Sequence, residues 1–115
     1  MSPEQVVRAQ LDAYLRQDRA AAESLVGDSL VFTSPQDDHL DRRAFFDRCF
    51  PTADRFSRHE LLHLVPAGHE DVLVVYEYDL VSGGTHRNAE LITVRDGRIV
   101  EIQVFFGGAV RSASA

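Results

Sequence analysis

His59 and Glu90 are the side chains of this 115-residue chain whose type and setting suit proton transfer. An imidazole titrates near neutrality, and a carboxyl in apolar surroundings is pushed up toward it, so each can move a proton without a cofactor. His59 lies in the run Ser57-Arg58-His59-Glu60-Leu61-Leu62-His63, where His59 and His63 have equal parity on a strand. A solvent-facing or hydrogen-bonded strand histidine is the plainer account of each, His63 above all. Four residues of strand span about 13 Å, too far for one metal ion to bridge the pair. The sequence also lacks a metal-ligand spacing, a glycine-rich phosphate loop and a nucleophile elbow. No metal and no cofactor is expected.

The direction of Glu90 depends on the turn at Asp96-Gly97. If Arg95-Asp96-Gly97 form a three-residue loop with Gly97 as a bulge, Asn88, Glu90, Ile92 and Val94 share a face with Val100, Ile102, Val104 and Phe106. Glu90 then points inward. If Asp96-Gly97 form a two-residue turn, Leu91 takes that place and Glu90 faces away. The first register is preferred, because it buries Ile92 and Val94 and leaves Arg95, Glu101 and Gln103 outside.

Around this pair stand residues that could bind and orient a substrate. Gln10 and Tyr14 fall on one helical stripe with Val7, and a buried amide or phenol needs a hydrogen-bonding partner, which a ligand could supply. Tyr76 and Tyr78 alternate with Val72 and Val74, and Asn88 has the parity of Glu90. Phe32, Phe46, Ile102 and Val104 are the apolar candidates for the walls. Asp37 and Asp38 read as solvated loop carboxylates near a cavity mouth.

The elements that must position these groups are legible from period and punctuation. Ser2 and Pro3 open a helix expected over Pro3 to Gln17. Asp18 can cap a second helix, Arg19 to Val26, with Gly27 as its stop. Ser29 to Thr33 reads as a strand. Asp41 can cap a third helix, with Leu40 stapled on Phe45; Phe45, Phe46 and Phe50 form its buried side, and Pro51 ends it. The period then changes to about 2, with strands expected at Phe56–Val65, Val72–Val81, Thr85–Arg95 and Arg98–Phe106. Helices followed by an antiparallel meander predict an α+β domain over residues 1–110, with a frayed tail at 111–115. Leu73 and Val75 make the second sheet face apolar too, so a homodimer through that outer face is expected.

Composition narrows the function classes. The formal charge is −6, which gives no basic footprint for nucleic acid. No stretch approaches a membrane span of about 20 apolar residues, and the first residues do not read as a signal peptide, so a cytoplasmic location is expected. The single cysteine, Cys49, reads as a small hydrophobe.

Three stretches in this order resemble the nuclear transport factor 2-like superfamily, in particular its SnoaL-like branch. They are Val6-Val7-Arg8 through Leu15-Arg16-Gln17-Asp18, then Ser24-Leu25-Val26-Gly27-Asp28 leading into Leu30-Val31-Phe32, and Val94-Arg95-Asp96-Gly97-Arg98-Ile99-Val100-Glu101-Ile102. The resemblance implies a cystatin-like cone, in which a curved sheet and about three helices enclose a pocket for a small apolar molecule. It also implies a range of roles, from ketosteroid isomerases, polyketide cyclases and dehydratases to binding proteins without a reaction, so the fold alone chooses none.

Matched to the isomerases, Gln10 stands where they carry a tyrosine and Ser34 where they carry the carboxylate base, while Glu90, if it faces inward, stands where they keep an acid. Serine does not take up a proton at neutral pH, so that mechanism is not expected. Matched to the dehydratases, which use a histidine base with an aspartate from the helical part, the candidates are His59 and Asp18; an N-cap accounts for Asp18 without chemistry. The reading is a pocket protein, either a cofactor-free isomerase, cyclase or dehydratase using His59 or Glu90, or a non-catalytic ligand-binding or protein-interaction module.

Overall fold

A computed structural model describes residues 1–110; the tail expected at 111–115 lies outside the described residues. Helix α1 (Pro3–Arg16) opens with a reciprocal cap, in which Gln5 N–H donates to Ser2 Oγ at 3.2 Å and Ser2 N–H donates to Gln5 Oε1 at 2.8 Å. It closes on Gln17 in the left-handed conformation (φ 56°), from which the chain enters α2 (Arg19–Leu25). Asp18 caps α2, accepting from Ala21 N–H at 3.1 Å.

Strand β1 (Val26–Thr33) begins earlier than expected, and Gly27, expected to stop α2, lies inside it. A Cβ at Gly27 would meet the Ile99 carbonyl oxygen at 3.3 Å, so this glycine serves the close pairing of β1 with its neighbour.

The third helical stretch is irregular. A short turn α3 (Arg42–Ala44), capped by Asp41, widens into a π-helical turn at Phe45–Cys49 and tightens into a 3-10 segment at Phe50–Arg55. Pro51 does not end this stretch. Proline has no N–H, and its ring crowds the carbonyl four residues back, so the preceding turn opens instead. Leu40, which packs against the core, also exchanges backbone hydrogen bonds with Phe32 at 2.7 and 2.9 Å.

Strands β2 (Phe56–Pro66), β3 (Asp71–Leu80), β4 (Thr85–Arg95) and β5 (Arg98–Ala109) complete a five-stranded sheet of order β1-β5-β4-β3-β2. Only β1 runs parallel to its neighbour, β5, while the other neighbours pair antiparallel. The helices cover one face, where Val6, Val7, Ala13, Leu30, Val72, Val74, Val94 and Ile99 form the core.

Bulges set which side chains reach the interior. Arg95 pairs with Arg98 across Asp96 and Gly97, both at positive φ, so the turn has two residues. The preferred three-residue loop is therefore not formed. Its consequence for Glu90 nevertheless holds, because β5 carries an extra residue between Ile99, opposite Val94, and Glu101, opposite Thr93. From there Ile92 pairs with Ile102 and Glu90 with Val104, both inward. The inward residue at the turn is Ile99, not Val100. A second bulge, after Leu61 in β2, pairs His63 with Val75 and breaks its expected parity with His59.

A third irregularity lies near the end of the β4–β5 pair. Gly107 lies so close to Arg87 that an added Cβ would sit 2.4 Å from the Arg87 carbonyl oxygen, so only glycine fits there. The sheet can therefore change register between Asn88 and His86.

Candidate active-site cavity

Between α1, the irregular helical stretch and the inner sheet face lies a cavity of about 670 Å3. Its size is that of a drug-sized ligand site, roughly 300 to 1,000 Å3. Most residues expected around it do line it: Gln10, Tyr14, Phe32, His59, Tyr76, Tyr78, Asn88, Glu90, Ile102 and Val104. Phe46 does not. The widened turn sends Phe45 to the cavity wall, while Phe46, 1% exposed, packs under the guanidinium groups of Arg19 and Arg42 at 5.4 and 5.0 Å from its ring centre. Asp18 and exposed His63 also lie outside the lining. The histidine–aspartate pair of the dehydratase pattern is therefore not assembled.

The polar groups on the inner face form one directed chain. Tyr78 Oη donates to Asn88 Oδ1 at 3.4 Å, Asn88 Nδ2 donates to Tyr76 Oη at 3.4 Å, and Tyr76 Oη donates to Glu90 Oε2 at 2.6 Å. The first two bonds are long and the last is short. The parity of β3 and β4 explains the chain: Tyr76 sits opposite Asn88 on the inner face, and Glu90 follows two residues along the same strand. Burial pushes the Glu90 carboxyl above the usual carboxylate range, against the opposing pull of the Tyr76 hydrogen bond. Burial, and then the nearby Glu90 charge, push the Tyr76 phenol well above its ordinary value, so it stays protonated.

His59 lies against this chain, its ring stacked on Tyr76 with centroids 4.7 Å apart. Burial, helped by the neighbouring Arg58 charge, lowers its proton affinity and favours the neutral imidazole. A neutral imidazole keeps one lone pair free to accept a proton. A histidine whose burial favours the neutral base and a carboxyl whose burial favours the protonated acid thus share one cavity wall.

On the opposite side Tyr14 Oη lies 2.7 Å from Thr52 Oγ1. Thr52 spends its only hydroxyl proton on the Cys49 carbonyl at 2.7 Å, so Tyr14 must be the donor in this pair. Tyr14 is thereby left able to accept from a ligand and not to donate to it. Its phenol is pushed up to about 12, chiefly by burial. The Gln10 side chain, 8% exposed, adds an amide to the same wall.

Sequence reasoning had not singled out Thr52, Phe45, Arg48 or Arg55 as lining residues. All four come from the irregular helical stretch, whose face a regular period misplaces. Ser34, expected from the sequence to match the isomerase base, does line the cavity, but its Oγ accepts from Gln36 and Asp37 N–H, each at 3.1 Å, and holds a turn. Among the described residues no cluster of histidine, cysteine and carboxylate groups is arranged to hold a metal ion, and no helix is long and apolar enough to cross a membrane.

No family model and no curated protein matches the chain. Solved structures do. A protein from Kribbella flavida superposes with a TM-score of 0.80 at 23% identity, covering 89% of this chain and 84% of the other. A nuclear transport factor 2-like protein of unknown function from Cytophaga hutchinsonii gives 0.73 at 18% identity, covering 92% and 90%. A candidate polyketide cyclase from Sinorhizobium meliloti gives 0.75 at 21% identity, covering 88% and 94%. The chain therefore has the α+β cone fold of nuclear transport factor 2-like proteins, with a cavity in the cone.

Proposed function

We propose that this chain is a SnoaL-like pocket protein that binds a small, largely apolar carbonyl compound and shifts its protons without a cofactor. The observation that carries this reading is the hydrogen-bonded chain ending on the buried Glu90 carboxyl, with neutral His59 stacked beside it. In such a step His59 takes a proton from the carbon next to the carbonyl. Glu90 donates its own proton to the carbonyl oxygen, and the product is the neutral enol. Protonated His59 then gives its proton to another carbon while the Glu90 carboxylate takes back the enol O–H proton, which restores both groups and completes an isomerisation. Asn88 and Tyr76 hold Glu90 in place, and Gln10 and Tyr14 orient the substrate.

The test is exchange of the α-protons of a β,γ-unsaturated ketone in heavy water, followed by proton NMR. Wild-type protein should accelerate exchange over buffer, and His59→Ala and Glu90→Gln should each slow it by about 100-fold. Loss of rate should also set in as acid protonates His59, below the usual histidine range, because burial lowers its affinity for the proton. Exchange no faster than in buffer, or a rate indifferent to both substitutions, overturns the catalytic reading.

A second reading, binding without turnover, is favoured by the use as a turn cap of Ser34, expected from the sequence to match the isomerase base. Under it a ligand is recovered unchanged. The outer sheet face, with half-exposed Leu73, Val75 and Leu91 beside Phe105 at 53% exposure, supports a homodimer across that face. Light scattering should give twice the monomer mass; a monomer would point instead to a protein-interaction module.

A further inference from the structure

We propose that the ligand of this cavity is an anion: an apolar body that lies inside, bearing one acidic group that is held at the mouth by Arg48 and Arg55. This rests on the pocket reading above and adds the charge of the molecule that fills it.

Both arginines belong to the irregular helical stretch and both line the cavity. They flank Thr52, another lining residue, so three side chains of this stretch face the cavity together. Their heads are exposed, as rim residues should be. Neither takes part in an ion pair among the described residues; Arg8, Arg42 and Arg98 share that property but do not line the cavity, whereas Arg16, Arg19, Arg43, Arg58, Arg87 and Arg95 each face a carboxylate within 4.0 Å.

The remaining charged groups of the lining do not cancel this pair. Half-buried Asp37 is the one lining carboxylate besides Glu90 and offers a single negative charge against two positive ones. Burial favours the uncharged form of both Glu90 and His59. In a chain with a formal charge of −6, a cavity whose rim is locally positive selects for anions and against cations. The aromatic wall of Phe56, Tyr76 and Tyr78 would otherwise suit a cation as well as a neutral ring. The arginines decide between them.

The experiment compares two fluorescent probes on one aromatic scaffold, 8-anilinonaphthalene-1-sulfonate and uncharged N-phenyl-1-naphthylamine. They are titrated into the full chain, with mutual displacement showing that they share a site. Wild-type protein should bind the sulfonate more tightly, and added salt should narrow the gap. Arg48→Gln and Arg55→Gln should each weaken the sulfonate roughly two- to fivefold and leave the neutral amine unchanged. Both substitutions fall on exposed heads, so the fold persists, and the neutral probe reports the cavity in every variant. Equal affinity of the two probes for wild-type protein, or a preference that survives in the double variant, overturns the assignment of an anion. Failure of both probes to bind removes the pocket reading itself, a result distinct from loss of the preference alone.

Discussion

Phe46→Ala should lower the stability of this protein by about 3 to 5 kcal/mol while leaving the cavity's affinity for an apolar probe nearly unchanged. Phe46 is 1% exposed and touches Phe45 and Phe50 at ring-centre distances of 5.2 and 5.5 Å. Truncation removes the ring from the core and also strips Arg19 and Arg42 of the face they cover, so packing and cation–π attraction are lost together. The neighbouring substitution, Phe45→Ala, should behave differently. Phe45 is 5% exposed and borders the cavity, so its removal enlarges that space and alters ligand affinity as well as stability. Denaturant unfolding with probe titration on both variants checks the contrast. Equal effects of the two on affinity would show that the widened turn does not divide their roles.

That contrast marks where the sequence stops being informative. The strands, their order along the chain and the caps at Ser2, Asp18 and Asp41 were legible, because each rests on a local pattern of two to four residues. Phe45 and Phe46 could not be told apart by a regular helical period. The widened turn before Pro51 rotates the segment, and a mid-segment proline announces a disturbance without saying which way the chain yields. The same limit applies to Arg48, Thr52 and Arg55, which a regular helix gives no reason to place on a cavity wall.

Strand register shows a subtler form of this limit. Asp96-Gly97 signals a tight turn, and the alternation in β4 and β5 signals two apolar faces; taken alone they conflict, since a two-residue turn would bring Leu91 inward. The chain satisfies both by placing an extra residue beyond Ile99. The bulge has no residue signature of its own at Val100. Its presence follows from the burial that Ile92, Val94, Ile99 and Ile102 require together, which is a tertiary demand. Glu90 owes its inward position to that demand. The parity of His59 and His63 failed for the same reason, through the bulge after Leu61.

Glu90→Gln should stabilise the protein at neutral pH and leave it unchanged near pH 3. Burial raises the folded-state proton affinity of Glu90 above that of the unfolded chain. The folded protein therefore holds more protons than the unfolded one between the two values, and stability falls as pH rises across that interval. Below the unfolded value both states are protonated and nothing is lost; above the folded value the full penalty is present. Each tenfold difference in proton affinity is worth about 1.4 kcal/mol, moderated by water that reaches the carboxyl through the cavity. Glutamine keeps an oxygen for the Tyr76 hydroxyl and carries no charge at any pH, so the penalty vanishes. Glu70, Glu77 and Asp79 have the opposite sign, since their arginine partners lower their proton affinity and their contribution is lost on acidification. They are common to both proteins and cancel in the difference. The measurement is therefore the wild-type minus variant unfolding free energy from pH 3 to pH 9. A difference that is flat with pH would mean that the Glu90 carboxyl ionises as freely folded as unfolded, and the proton it is proposed to donate would not be there.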